Sequence, residues 1–89
     1  MEPRVILYTR AGCHLCHDAR QVLLELCAEE GVGWAEIDID AAGDPRVDAA
    51  LRARLSDLVP VVEVDGVQVG YWRVKEANVR IALSLGGRQ

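Results

Sequence analysis

The chain of 89 residues lacks the marks of several broad classes of protein. It has no excess of positive charge, since 10 Lys and Arg residues against 14 Asp and Glu residues leave a net charge of −4. This balance argues against a nucleic-acid-binding protein, which shows a basic surface. The apolar run after Met1-Glu2-Pro3-Arg4 is also too short for a membrane span or the core of a signal peptide. We therefore expect no membrane segment and no nucleic-acid partner.

Cysteine is scarce, with three residues and no recognisable export signal, which argues against a secreted disulfide framework. The chain also lacks internal repeats, low-complexity tracts and linkers. Because 51% of its residues are hydrophobic, it has enough apolar surface for a folded core. We expect residues 1–89 to form one domain in the cytoplasm, with a redox or metal-binding role for the cysteines.

The most informative feature is a Cys-x-x-Cys pair where a strand is expected to turn into a helix. The run from Arg4 to Tyr8 is apolar and rich in β-branched residues, which predicts a buried strand. Cys13 and Cys16 follow at the predicted first turn of a helix, on one helix face. Backbone N–H groups and the helix dipole at that position would stabilise a thiolate on Cys13.

Periodicity and turn residues predict the remaining helices. The first helix should end near Glu30, stopped by Gly31, with an apolar stripe of Leu15, Ala19, Val22, Leu23 and Leu26. A second helix should begin with Asp44 as N-cap and Pro45 as first helical residue, and end near Ser56. It is expected to bury Val47, Ala50, Leu51 and Leu58. The last helix is expected to end at Gly86-Gly87 and to bury Val74, Ala77, Ile81 and Leu85.

Three further strands complete the predicted sheet. Residues 34–40 alternate between apolar and acidic side chains, which predicts an outer strand and explains Asp38 and Asp40 without a metal site. Two β-rich runs flank Asp65-Gly66, the strongest short hairpin signal in the chain. The order is therefore β-α-β-α-β-β-α. It predicts a thioredoxin-like α/β fold, with a four-stranded mixed sheet flanked by three helices.

With these elements in order, the chain resembles the glutaredoxin-like branch of the thioredoxin superfamily. The matching segments are residues 7–10 before Cys13-His14-Leu15-Cys16, then residues 36–40, then residues 59–66. The resemblance implies a dithiol disulfide oxidoreductase in which Cys13 is the exposed nucleophile and Cys16 the resolving thiol. It also implies that Pro60 is cis and faces the disulfide.

The resemblance also implies the rest of the site and its partners. Val59 and Pro60 would dock an extended substrate segment through the Val59 backbone, with Gly70 and Tyr71 completing the binding site. Arg10, as the basic residue before the cysteine pair, would help to stabilise the thiolate. The substrates would be protein disulfides or mixed disulfides with glutathione. The reductant would be glutathione or a flavoprotein of the thioredoxin reductase type, and no cofactor would be tightly bound.

The chain departs from the glutaredoxin pattern at two places. Glutathione-using glutaredoxins tend to carry Gly-Gly followed by small polar or acidic residues after the fourth strand. Here the corresponding residues are Gly70-Tyr71-Trp72-Arg73, which are bulky and cationic and weigh against glutathione binding. The Pro or aromatic residue that usually precedes the cysteine pair is replaced by Ala11-Gly12.

Three other side chains have plain interpretations, and a fourth, His14, stays open. We expect His17 to be a surface residue, Cys27 to be a packed small hydrophobe, and Glu63 to point to the rim of the sheet rather than relay protons. For His14, a role in stabilising the Cys13 thiolate and a role as a solvated surface residue stay equally open.

Two alternatives come from other classes of protein. Residues 13–17, Cys-His-Leu-Cys-His, match the attachment pattern of c-type haem, but Met1 is the only methionine and no export signal precedes them. A metal or iron–sulfur module using Cys13 and Cys16 is the other alternative. It has too few ligands within one chain for a closed zinc site, although a cluster shared across a dimer stays open.

Overall fold

A computed structural model describes residues 3–41 and 47–86. Within these ranges the chain forms four strands and three helices in the predicted order. Their bounds are β1 Val5–Thr9, α1 His14–Glu30, β2 Trp34–Asp38, α2 Ala49–Leu55, β3 Val61–Val64, β4 Val67–Tyr71 and α3 Glu76–Gly86. The strand order in the sheet is β2-β1-β3-β4. Strand β1 is parallel to β2 and antiparallel to β3, which is antiparallel to β4, so the sheet is mixed as expected.

The two faces of the sheet carry separate apolar clusters. One face packs against α1 and α3, and its fully buried members include Leu7, Leu23 and Val79. The opposite face packs against α2 through a smaller cluster that includes Tyr8, Ile39 and Leu55. Burying a Leu or Ile side chain contributes about 1.5–3 kcal/mol, so the face under α1 and α3 dominates stability. Helix α1 is thereby fixed to β1, and its first turn is held at the carboxyl end of that strand.

Local turn residues set the ends of several elements. Helix α1 ends at Gly31, which has φ 68° and whose N–H bonds to the carbonyl of Cys27. Asp65 and Gly66 have φ of 52° and 85°, the two positive values that a type I′ hairpin requires. A register irregularity opposite Val62 and Glu63 indicates a bulge in the β3–β4 ladder. The hairpin prediction is confirmed.

Helix α2 begins later than the sequence predicts. Its N-cap is Asp48, whose carboxylate accepts a hydrogen bond from the N–H of Leu51 at 2.7 Å. The predicted cap, Asp44 with Pro45, lies outside the described residues. Because the described helix has only seven residues, it covers little of the sheet, and Ala50, predicted to be buried, is exposed.

The predicted buried face of α3 is wrong. Val79 and Leu83 are buried, whereas Ile81 and Leu85 are 59% and 67% exposed and Ala77 is also exposed. Both sets recur at helical spacing, so periodicity alone could not choose between them. The packing of α3 against the sheet and the end of α1 determines which of the two sets is buried. There Arg80 forms ion pairs with Glu29, Glu30 and Glu76.

Candidate active site

The connection from β1 to α1 places the cysteine pair. Gly12 has φ +78°, a left-handed conformation that L side chains rarely adopt, and it reverses the chain immediately before Cys13. Cys13 is the N-cap of α1, with φ −91° and ψ 111°, and its sulfur accepts a hydrogen bond from the N–H of Cys16 at 3.1 Å. One of the unpaired donors at the helix start therefore points at the Cys13 sulfur, which favours a thiolate there.

Cys13 and Cys16 are joined by a disulfide, with their Cα atoms 5.2 Å apart. That separation lies in the usual range for a disulfide, and it spans a single helical turn. Cys13 is half-buried, whereas only 1% of Cys16 is exposed. The two sulfurs therefore differ in access, although they form one bond.

Arg10 makes contacts other than those predicted. Its guanidinium donates two hydrogen bonds to the carboxylate of Asp40, at 3.0 and 3.1 Å, and two more to the carbonyl and hydroxyl oxygens of Ser56. Asp40 raises the pKa of Arg10, and Arg10 lowers the pKa of Asp40. Because the charge is paired with Asp40, Arg10 clamps the ends of β2 and α2 beside the reactive turn. The role in stabilising the Cys13 thiolate that the resemblance implies for Arg10 stays a prediction.

The Val59–Pro60 peptide bond is cis, as the resemblance implied. Pro60 is fully buried and leads directly into β3. The N–H of Val59 is not free, because it donates to the carbonyl of Leu55 at 3.1 Å. The N–H of Val59 is therefore not free to pair with a substrate segment, and pairing through the rest of its backbone stays a prediction. Among the described residues, no hydrogen bond reaches its carbonyl oxygen.

A surface groove of about 610 Å³ lies beside this segment. Its lining residues are Leu15, Val59, Tyr71, Trp72, Arg73 and Lys75. Leu15 stands between the two cysteines in sequence, and Val59 precedes the cis proline. The groove therefore joins the reactive turn to the segment after β4. Of the residues predicted to bind substrate, Val59 and Tyr71 line it; Pro60 and Gly70 do not.

Trp72 lines the groove, although the sequence assigned it no role in substrate binding. It has φ +59°, which is rare for a bulky residue. Its backbone N–H donates to the carbonyls of Leu58 and Pro60, and its indole N–H donates to the carbonyl of Asp57 at 2.8 Å. The ring of Tyr71 packs edge-on against it, with centroids 5.1 Å apart. These contacts hold the residue in its left-handed conformation and fix it to the segment that contains the cis proline.

Comparison with known proteins places this geometry in a family. A family model described as "Glutaredoxin-like domain" matches residues 4–84, nearly the whole chain. The chain belongs to the glutaredoxin-like domain family. An uncharacterised protein of Mycobacterium tuberculosis (strain H37Rv) is 42% identical over 81 residues, which cover 88% of this chain and 79% of the relative.

Solved structures show the same fold. A structural genomics target from X. campestris aligns with a TM-score of 0.66 and 27% identity, covering 91% of this chain and 96% of the other. Oxidised glutaredoxin 2 from Chlamydomonas reinhardtii aligns with a TM-score of 0.63 and 21% identity, covering 98% and 85%. Reduced Escherichia coli glutaredoxin aligns with a TM-score of 0.59 and 19% identity, covering 96% and 98%. These alignments establish the thioredoxin-like fold.

The other cysteine and the histidines of this glutaredoxin-like domain have different surroundings. Cys27 is 2% exposed within the core under α1 and α3, which confirms it as a packed hydrophobe, and burial raises the pKa of its thiol. His14 and His17 are exposed on the first turns of α1. Glu63 is half-buried on the inner strand β3 and lines a surface cavity together with Arg4 and Asp65.

The described residues offer no set of ligands for the metal-binding alternative. Across residues 3–41 and 47–86, no three His, Cys, Asp or Glu side chains are grouped closely enough to hold an ion.

Over the same ranges, no helix is both long and apolar enough to cross a membrane.

Replacing Gly12 by alanine should destabilise the domain by about 1–2 kcal/mol, because an alanine must adopt its left-handed conformation. No atom lies within 4 Å of the added methyl group, so the cost comes from the backbone alone. Urea unfolding of the oxidised protein measures it. The control is Gly33→Ala, where the added methyl meets Pro3 at an ordinary 3.9 Å. Equal stability of the two variants would contradict the prediction.

A second prediction concerns Glu36, which joins β2 to α1 and β1. Two hydrogen bonds from Arg20, and then one from the buried Thr9, lower the pKa of Glu36 against the opposing effect of partial burial. Its ionised form therefore stabilises the fold above the unfolded-state pKa of about 4.3. This contribution is lost as the pH falls through the lower pKa of the folded state.

The free energy of unfolding of Glu36→Gln should consequently fall less at low pH than that of the unmodified protein. Because the pair is about one-third exposed, solvent screening limits the difference to about 0.5–1 kcal/mol. The measurement is the free energy of unfolding between about pH 6 and pH 2. The control is Glu25→Gln, at an exposed position on α1. The explanation fails if both variants follow the pH profile of the unmodified protein.

Proposed function

We propose that this domain is a thiol–disulfide oxidoreductase that reduces disulfides of protein substrates through a Cys13/Cys16 dithiol. The observation that carries the proposal is the disulfide between the N-cap and the first turn of α1. The Cys13 sulfur is the more accessible of the two and accepts the Cys16 N–H. The family membership supports the same function.

The proposed reaction has two exchange steps. In the first, the Cys13 thiolate attacks one sulfur of the substrate disulfide; that S–S bond breaks, and the other substrate sulfur leaves as a thiolate that takes up a proton. In the second, Cys16 loses its proton and attacks the Cys13 sulfur, which releases the second substrate thiolate. The substrate gains two electrons and two protons, and the protein is left with the Cys13–Cys16 disulfide.

Residues of the chain position the attacking thiol, stabilise the thiolate and bind the substrate in these two steps. Cys16 lies one helical turn from Cys13, so the second attack is intramolecular and requires little movement. The Cys16 N–H stabilises negative charge on the Cys13 sulfur whenever that sulfur attacks or leaves. His14, on the same first turn, is a further candidate for this stabilisation. We propose that the carbonyl of Val59 accepts a hydrogen bond from an extended substrate segment.

A reductant must then restore the dithiol. Glutathione and a flavoprotein of the thioredoxin reductase type are the two candidates, and both belong to the reducing cytoplasm in which we place the protein. Parallel assays with each reductant would identify the one that sustains turnover.

The direct test uses protein that has been reduced and freed of reductant. Mixed with a peptide that contains one disulfide, it should yield reduced peptide and an equal amount of protein oxidised at Cys13 and Cys16. Acid quenching, alkylation and mass spectrometry quantify both products. No transfer of reducing equivalents, or oxidation at Cys27 instead, would contradict the proposal.

A further inference from the structure

The cations that line the groove take part in no ion pair with any described residue. Most arginines in the described ranges already bind carboxylate or carbonyl oxygens. These are Arg4, Arg10, Arg20, Arg52 and Arg80. By contrast, Arg54, Arg73 and Lys75 take part in no ion pair within residues 3–41 and 47–86. Two of these three cations flank the groove, in a chain whose net charge is −4.

The shape of the groove suits a chain laid across it. Tyr71 and Trp72 are 47% and 52% exposed, and their rings form an open wall rather than an enclosed pocket. Pockets for small ligands usually enclose about 70–90% of the ligand surface. An open aromatic wall would leave much of a small molecule in water, whereas a longer segment can cover both rings and reach the cations.

We propose, on the basis of the disulfide reductase activity proposed above, that the groove selects protein substrates with acidic residues in an extended segment next to the disulfide. Arg73 and Lys75 pair with the acidic side chains, and Tyr71 and Trp72 pack against the segment. Val59 contributes only its carbonyl to backbone pairing, since its N–H is bonded to Leu55. Selectivity therefore comes from charge and aromatic packing more than from added β-structure.

The test compares disulfides that differ only in charge. Two synthetic peptides share one disulfide and one length, and carry Asp or Lys on both sides of a cysteine. Bis(2-hydroxyethyl) disulfide serves as an uncharged substrate, and glutathione disulfide as a small acidic one. The second-order rate constant for oxidation of the prereduced protein is measured with each of these disulfides at two salt concentrations. At about 20 mM salt charges interact over a longer range, and at about 0.5 M salt they are screened.

At low salt we expect the Asp peptide to react about three- to tenfold faster than the Lys peptide, and the difference to shrink at high salt. The overall negative charge of the chain would favour the opposite order, so this preference is diagnostic. Arg73→Glu and Lys75→Glu should reverse it. Arg54→Glu makes the same charge change at an exposed position outside the groove lining and should leave the order intact. Arg54→Glu should also reduce the uncharged disulfide at the rate of the unmodified protein.

Several outcomes would overturn the inference while disulfide reduction itself survives. The first is an equal rate constant for the two peptides, and the second is an equal change of the peptide preference in Arg73→Glu and Arg54→Glu. The third is glutathione disulfide reacting faster than the Asp peptide with the unmodified protein but not with Arg73→Glu. Failure to reduce even the uncharged disulfide would overturn the proposed function, and the inference with it.

Discussion

Replacing Cys13 by serine is expected to lower the rate of disulfide exchange by at least about a thousandfold, to the uncatalysed background. A serine hydroxyl is not ionised near neutral pH and cannot form or leave a disulfide. Serine also matches the shape of cysteine and is a favourable N-cap residue, so α1 should keep its start. The loss would then report chemistry rather than unfolding. The rate with bis(2-hydroxyethyl) disulfide is the readout.

The matched control for Cys13→Ser is Cys27→Ala. Cys27 is the third cysteine, buried in the core and free of any disulfide. Its removal should cost some stability, because it leaves a small cavity, and should leave the exchange rate within about twofold. Retained exchange in Cys13→Ser, or its loss in Cys27→Ala, would contradict the assignment of the nucleophile.

Replacing Cys16 by serine is expected to convert a transient intermediate into a stable product. Without a thiol one helical turn away, the protein cannot displace the substrate from Cys13; when the substrate is an excess of a disulfide that joins two separate peptides, the mixed disulfide can be resolved only by another molecule that carries a thiol. Nearly all of the variant should accumulate as a covalent adduct with the disulfide peptide. Mass spectrometry of the acid-quenched reaction measures the adduct, and a reducing agent should remove it.

The two serine variants also distinguish the roles of the sulfurs. If Cys16 were the attacking residue, the adduct would accumulate in Cys13→Ser and not in Cys16→Ser. The accessibility of the two residues favours the order proposed above, because Cys16 is almost completely buried. An adduct at Cys27, or none in either variant, would contradict that order.

Features that depend on local sequence were predictable. The start of α1 at Cys13, its end at Gly31 and the Asp65-Gly66 turn each follow from residues within a few positions of one another. The mixed character of the sheet also followed, since the helix between β1 and β2 indicates a parallel pair and the Asp-Gly turn indicates an antiparallel one.

Features that depend on residues far apart in sequence were missed. The clamp of Arg10 requires Asp40 and Ser56 to meet, 30 and 46 positions away. The choice of Val79 and Leu83 as the buried face of α3 depends on the sheet beneath it. No local signal predicts the left-handed conformation of Trp72, since a bulky residue there is held only by its contacts with residues 57–60.

The most direct test of the account is a redox titration of the native domain at the Cys13/Cys16 pair. Thiols are counted by alkylation and the fold is followed by circular dichroism across buffers of defined potential. We expect Cys13 and Cys16 to change together in one reversible two-electron transition while Cys27 stays unmodified and the spectrum stays constant. Unfolding on reduction, or a pair that does not close again on oxidation, would contradict the central claim that this turn can open and close its disulfide within an intact fold.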